Sequence, residues 1–284
     1  MSDSSTPQPI AVRRAIEATR DLLASRPLLV VTDFDGTLSN IVQDPWGASI
    51  LPLGRRALRR LAGTHGVHVS VLSGRTAADV ARRVRVGNVH YLGNHGIERG
   101  YLPRGTRAEQ LVVSSVDEEA HEAGHLAEEM AAALPGLVAD DWLVVERKPP
   151  AVAFHFRQAP DTAEAGRRVR EAADSLDPEG VLERFPGRRV LELRPFGAVA
   201  KGDALRSLLV ELRPRAALIL GDDVSDALAF AELRQAREAG TLDGLAVAIL
   251  ARAEVPPEVA ETADFVLPSP AHAARYLAAV ARVL

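Results

Sequence analysis

The chain has no cysteine, which excludes disulfides, thiolate chemistry and cysteine-based metal sites. That absence fits a reducing cytosol. It also lacks an excess of basic charge: a formal net charge of −4 gives no reason to expect nucleic acid, an anionic membrane or a strongly acidic partner. Arginine pairs such as Arg55-Arg56, Arg82-Arg83 and Arg167-Arg168 are scattered and read as solvated surface. No apolar run approaches the length that spans a bilayer. Residues 1–9 are polar and rich in Ser and Pro, without the basic and apolar regions of a secretory signal, and are expected to form a disordered tail. No internal repeat is visible. The expectation is a soluble, cytoplasmic protein whose 284 residues allow one large domain or two ordinary ones.

What is present centres on the stretch Val30-Val31-Thr32-Asp33-Phe34-Asp35-Gly36-Thr37-Leu38. An apolar run stops at two carboxylates one residue apart, then Gly and Thr, as a short buried strand with acids at its carboxyl end would read. In an open parallel sheet, ligands bind at that end. Acids at i and i+2 project to one side and repel unless something positive joins them. A hard cation such as Mg²⁺ is the natural partner if phosphate completes its shell. Taken alone, Asp33 and Asp35 fit a turn before Gly36 equally well.

The rhythm around this stretch is that of a parallel sheet with helices on both faces. Helices are predicted at 11–24, 52–61 and 76–86, and strands at 27–31, 67–72 and 89–92. From 108 to 134 a long charged helical pattern follows. Strands at 142–147 and 151–156, a helix at 161–175, and strands at 181–185 and 190–193 joined by a Pro186-Gly187 turn then suggest a separate α+β insert. The parallel pattern resumes with a helix at 202–212, a strand at 216–220, a helix at 225–238, strands at 245–250 and 264–267, and a last helix at 271–284. Four apolar strands thus end in polar clusters: Asp33/Asp35, Ser73-Gly74-Arg75, Asn94-His95 and Asp222-Asp223. If neighbours, they converge on one crevice, joined by Lys201 at a helix start. Carboxylates, a hard cation and a lysine suit phosphoryl transfer, in which charge compensation and positioning do most of the work.

In order, Asp33-Phe34-Asp35-Gly36-Thr37-Leu38, Ser73-Gly74-Arg75, Lys201-Gly202 and Gly221-Asp222-Asp223-Val224-Ser225-Asp226 resemble the four motifs of the haloacid dehalogenase superfamily of phosphatases. Within it the chain most resembles the trehalose-6-phosphate phosphatases, through Gly93-Asn94-His95-Gly96-Ile97-Glu98, Glu146-Arg147-Lys148, His155-Phe156-Arg157 and Val190-Leu191-Glu192-Leu193-Arg194-Pro195. The similarity covers residues 28–265. It implies an α/β, haloacid-dehalogenase-like (Rossmann-like) parallel-sheet core at 10–105 and 195–284, with an inserted α+β cap domain at 106–194. It implies a Mg²⁺-dependent hydrolase with Asp33 as nucleophile and Asp35 as general acid and base. Mg²⁺ would be held by Asp33, the Asp35 carbonyl and Asp222, with Asp223 and Asp226 holding metal-bound waters. Ser73, Gly74 and Lys201 would bind phosphate. Glu146, Lys148 and Glu192 are the candidates for gripping sugar hydroxyls, with Arg75, Asn94, His155 and Arg157 as further substrate contacts, and a closing cap would exclude water. A trehalose-6-phosphate synthase is the candidate partner, and the chain is expected to be a monomer. One departure stands out: Ala227 and Leu228 replace residues that are usually acidic in the family, removing negative charge beside the metal site.

Plainer readings remain beside these. Glu146 and Lys148 alternate with apolar residues, so an exposed strand face explains them as well as a sugar site does. His121-Glu122-Ala123-Gly124-His125 matches the zinc-peptidase helix signature, but it contains a Gly, lacks an obvious third ligand and reads as surface helix. The same chemistry on another sugar phosphate (sucrose phosphate, mannosylglycerate phosphate, glucosylglycerol phosphate), a phosphomutase, and a non-catalytic sugar-phosphate sensor are the alternatives.

Overall fold

Leu28–Thr32 alternates its apolar side chains between two buried layers, and every residue of the strand is buried. Leu28 and Val30 join one core while Leu29 and Val31 join another, so the strand is covered on both faces. In the computed structural model, which describes residues 10–42, 45–115, 119–187, 189–195, 199–250 and 257–284, this strand (β1) is central. The chain forms two compact units, Met1–Ser114 with Val199–Leu284, and Ser115–Ala198.

The first unit holds an eight-stranded sheet. Besides β1 it contains β2 (Val67–Leu72), β3 (Val89–Gly93), β4 (Glu98–Leu102) and the two-residue β5 (Ser114–Ser115). Late in the chain come β10 (Ala216–Gly221), β11 (Asp243–Ile249) and β12 (Phe265–Leu267), and the order is β12-β11-β10-β1-β2-β3-β4-β5. The strands from β12 to β3 run parallel. Helices α1 (Ile10–Thr19), α2 (Pro52–Ala62), α3 (Ala77–Val84) and α9 (Pro270–Val283) cover one face. Helices α6 (Lys201–Leu212), α7 (Val224–Glu238) and α8 (Pro257–Thr262) cover the other.

The second unit places α4 (Glu119–Val138) and α5 (Thr162–Leu176) against a four-stranded antiparallel sheet. Its strands are β6 (Val144–Lys148), β7 (Ala151–His155), β8 (Leu182–Gly187) and β9 (Val190–Pro195), in the order β6-β7-β9-β8. Val152, Phe154, Leu191 and Leu193 face the helices and close the core with Met130, Leu134 and Val169. The alternate residues, among them Glu146, Lys148, Glu192 and Arg194, share the other face by strand register.

Three expectations shift. The helix read at 108–134 begins only at Glu119 and runs through Pro135 to Val138. Before it, Ala108–Gln110 is a single 3₁₀ turn and Ser114–Ser115 a short edge strand, which keeps 108–114 with the first unit. The insert therefore spans Ser115–Ala198 rather than 106–194. Pro186 and Gly187 end β8 instead of forming the turn, and Gly187 pairs with Val190. An antiparallel strand, β4, goes unread because Arg99 and Gly100 interrupt its apolar pattern. Residues 1–9, read as a tail, lie outside the described residues. Among the described residues, no helix is long and apolar enough to cross a membrane.

Candidate active site

Strands β10, β1, β2 and β3 are consecutive neighbours, so the four polar clusters leave the sheet at the same edge. Thr32 pairs with Leu220, and the Asp33 amide continues the ladder by donating to the Leu220 carbonyl at 2.9 Å. That register sets Asp33 and Asp222 side by side. Beyond Asp33 the chain turns tightly, the amides of Leu38 and Ser39 both donating to the Phe34 carbonyl. Gly36 lies at φ +86°, and a Cβ there would sit 2.3 Å from Asp222 Oδ2. Only glycine leaves room for that carboxylate. Gly221 does the same for Asp226, whose Cγ a Cβ would meet at 2.2 Å.

Lys201, the first residue of α6, reaches this cluster with its side chain buried. Its Nζ donates to Asp33 Oδ1 at 2.9 Å and to Asp226 Oδ1 at 2.7 Å. Asp226 Oδ2 accepts the backbone amides of Asp222 at 2.9 Å and Asp223 at 3.2 Å. Carboxylate oxygens of Asp33, Asp222 and Asp226 lie within 4.8 Å of one another, the one such cluster among the described residues. Through these bonds Asp226 shapes the loop and holds Lys201. Asp33, Asp222 and Asp226 are the carboxylates placed to face a cation.

One ammonium does not balance three buried carboxylates. Burial pushes the Asp33 carboxyl up to about 6 although Lys201 pulls it down, and Asp223 and Asp35 add to the rise. Asp222 is driven well above the ordinary carboxylate range by burial and then by the charge of Asp33. Burial opposes the charge on Lys201, but Asp226 and Asp33 outweigh it and keep the ammonium protonated. Such a cluster is short of positive charge, and its all-oxygen donor set fits a hard divalent cation.

The other predicted residues divide. Ser73 is buried after β2, its Oγ accepting the Arg75 amide at 3.2 Å, which leaves its own proton to donate outward. Gly74 passes beneath the His95 ring. Arg75 grips Asp35, with Nε to Oδ2 at 2.5 Å and Nη2 to Oδ1 at 2.9 Å. Asn94 is buried and donates to Glu98, whose other oxygen accepts the Ala77 amide at the start of α3. Asn94 therefore ties a turn together, with left-handed φ at Asn94 and His95. Asp223 is the N-cap of α7, accepting the Asp226 amide and the Ser225 hydroxyl. Of the two unusual residues just after Asp226, Ala227 is buried and Leu228 is exposed.

In the second unit, Lys148 Nζ pairs with Glu192 Oε2 at 2.7 Å and His155 Nε2 with Glu146 Oε2 at 2.8 Å. Lys148 is 6% exposed, so a solvated strand face does not describe it. Arg157 lies in the turn after β7, off the sheet. Missed in sequence are Arg194, buried 3.5 Å from the Phe185 ring, and Asp79 with Arg83. Arg194 is two residues from Glu192, and Arg75, Asp79 and Arg83 recur at helical spacing of four, which are the signals that could have found them. His125 is exposed on α4, and the His121 side chain lies outside the described residues.

The sequence pattern of the trehalose-phosphatase family matches residues 31–270. A trehalose-phosphate phosphatase of Mycobacterium avium is 36% identical over 271 residues, 93% of this chain and 64% of the relative. The chain thus spans less than two thirds of that relative's length. The C-terminal domain of the Candida albicans trehalose-6-phosphate phosphatase superposes with a TM-score of 0.75 at 21% identity, covering 100% of both chains. A haloacid dehalogenase-like hydrolase from Bacteroides thetaiotaomicron shares the fold at a TM-score of 0.59 and 17% identity, over 90% of this chain and 99% of that one. With its fold shared and most of its length matched, the chain belongs to the trehalose-phosphatase family.

Proposed function

We propose that this chain is a Mg²⁺-dependent phosphatase that hydrolyses trehalose 6-phosphate to trehalose and phosphate through an aspartyl-phosphate. The observation that carries the reading is the buried junction at the ends of β1 and β10, where Lys201 bridges Asp33 and Asp226 beside Asp222. A nucleophilic carboxylate needs its charge held without being quenched, and one ammonium on one of its oxygens does this.

Asp33 attacks phosphorus with its carboxylate, and the phosphorus–oxygen bond to the sugar breaks. Asp35 gives its proton to the departing oxygen. Water then attacks the same phosphorus, Asp35 takes its proton, and the acyl-phosphate breaks to release phosphate and restore Asp33. Lys201, the Ser73 hydroxyl and the Gly74 amide hold the phosphoryl oxygens. Asp33, the Asp35 carbonyl and Asp222 are the groups that would hold Mg²⁺. When bound, the ion offsets the repulsion between carboxylate and phosphate. Asp226 and Asp223 keep the Asp222 loop in shape.

For the sugar, the polar face of the second unit's sheet offers the Lys148–Glu192 ion pair and the hydrogen-bonded His155 and Glu146. Charge-assisted hydrogen bonds of that kind orient a polyol strongly. The covalent step is testable by quenching turnover with borohydride, which reduces an acyl-phosphate to an alcohol. Homoserine at position 33 is the expected product; an unmodified Asp33 during steady turnover would refute the aspartyl-phosphate.

A further inference from the structure

Resting on the phosphatase reading, we infer that Arg75 is a positioning residue for Asp35, and that Asp79 and Arg83 anchor Arg75 to the 45–48 turn. Asp35 sits on a Gly-Thr turn with its side chain 39% exposed, so little beyond one partner restrains its rotamer. That partner is the Arg75 guanidinium, 9% exposed, which donates from Nε to one carboxylate oxygen and from Nη2 to the other. A two-point fork fixes the plane of a carboxylate as well as its place, which a lysine cannot do. The fork occupies one lone-pair site on each oxygen and leaves another on each for a transferred proton.

The fork is itself held. Its Nη1 donates to Asp79 Oδ2 at 3.0 Å, and its Cζ lies 5.6 Å from the centre of the buried Phe34 ring. Asp79, in the first turn of α3, accepts Arg83 Nε at 2.8 Å on the same oxygen. Arg83 Nη1 ends the chain on the carbonyls of Trp46 at 2.9 Å and Ala48 at 2.6 Å. Four alternating charges therefore run from the proton-transferring carboxylate to the turn that precedes α2. Substrate gripping, the role first read for Arg75, does not explain why its fork points at Asp35 and Asp79.

Proton delivery matters in proportion to how poor the leaving group is, which separates this role from binding. The test is kcat/KM for a series of substituted phenyl phosphates against leaving-group pKa, in the full chain and in Arg75→Gln, Arg75→Lys and Asp79→Asn. None of these substrates carries a sugar. Arg75→Gln is expected to fall roughly 100-fold on the poorest leaving group and much less on p-nitrophenyl phosphate, giving a steeper slope. Arg75→Lys steepens it too, because charge without the fork does not fix the plane, and Asp79→Asn steepens it by less. If Arg75→Gln melts below the assay temperature, the other two variants carry the test. Equal loss on every phenyl phosphate would place Arg75 on the phosphoryl group or in the fold, and an unchanged slope in all variants would overturn the inference. A wild-type chain inert toward every phosphate ester would overturn the phosphatase reading, and this inference with it.

Discussion

Lys201 and Asp33 stand 168 positions apart in the chain, and Lys201 Nζ donates to Asp33 Oδ1 at 2.9 Å in the buried end of the sheet. The lysine also bonds Asp226, so a single ammonium holds two loops together. Replacing it with methionine leaves the carboxylates unpaired, a change that costs about 3–5 kcal/mol at buried sites. Lys201→Met is expected to melt earlier and to lose at least roughly 100-fold in kcat. Thermal melting and phosphate release check the two parts separately.

Gly36 is the second lever. A methyl group there falls on the Asp222 carboxylate, and φ +86° is a left-handed conformation that L side chains rarely adopt. Gly36→Ala is expected to cost on the order of 1–3 kcal/mol in stability and to abolish turnover by displacing Asp222. A variant that keeps wild-type kcat would show that the Asp222 position is not needed.

Metal binding should register without any catalysis. Mg²⁺ is expected to raise the melting temperature of the wild-type chain, by about 2.7 kcal/mol of stabilisation at a hundredfold excess over Kd. In Asp222→Asn the shift should be largely lost, and EDTA should silence wild-type turnover until Mg²⁺ is restored. Turnover that survives chelation would remove the metal from the account.

The second unit carries its own pH dependence. Asp177 accepts the amides of Val181 and Leu182 and the Arg184 guanidinium. Burial raises its carboxyl, but these donors outweigh burial and hold it below the ordinary carboxylate value. Because the folded value is the depressed one, the stabilisation is fully present above the unfolded value of about 3.9 and is lost as pH falls through the folded one. Asp177→Asn is expected to cost about 1–3 kcal/mol at neutral pH, and the gap to wild type should close on acidification. Trp46→Phe leaves Trp142, which packs against the second unit's core, as the fluorescent reporter for a urea titration at each pH.

Much of this molecule was legible because its chemistry sits where local patterns end. Apolar runs terminating at Asp33, Ser73, Asn94 and Asp222 located the sheet edge, since a strand buried on both faces has no other place for charge. The sequence hid what depends on partners far along the chain. Asp226 read as an acid that holds metal-bound water, and the sequence did not show that its oxygens also accept Lys201 and two backbone amides. Asp223 read the same way, and its capping of α7 was likewise hidden. Arg75 read as a substrate contact because the fork it makes with Asp35 spans forty residues. Glu146 and Lys148 stayed ambiguous until β6, β7 and β9 were paired and their partners His155 and Glu192 came onto the same face.

The central claim is tested most directly by phosphate release with Mg²⁺ across a panel of sugar phosphates that includes trehalose 6-phosphate, run with wild type and Asp33→Asn. The account predicts strong preference for trehalose 6-phosphate in the wild type and no release by the folded Asp33→Asn variant, because a neutral amide cannot be the nucleophile. Preference for another sugar phosphate would contradict the substrate assignment, and full activity in Asp33→Asn would contradict the mechanism.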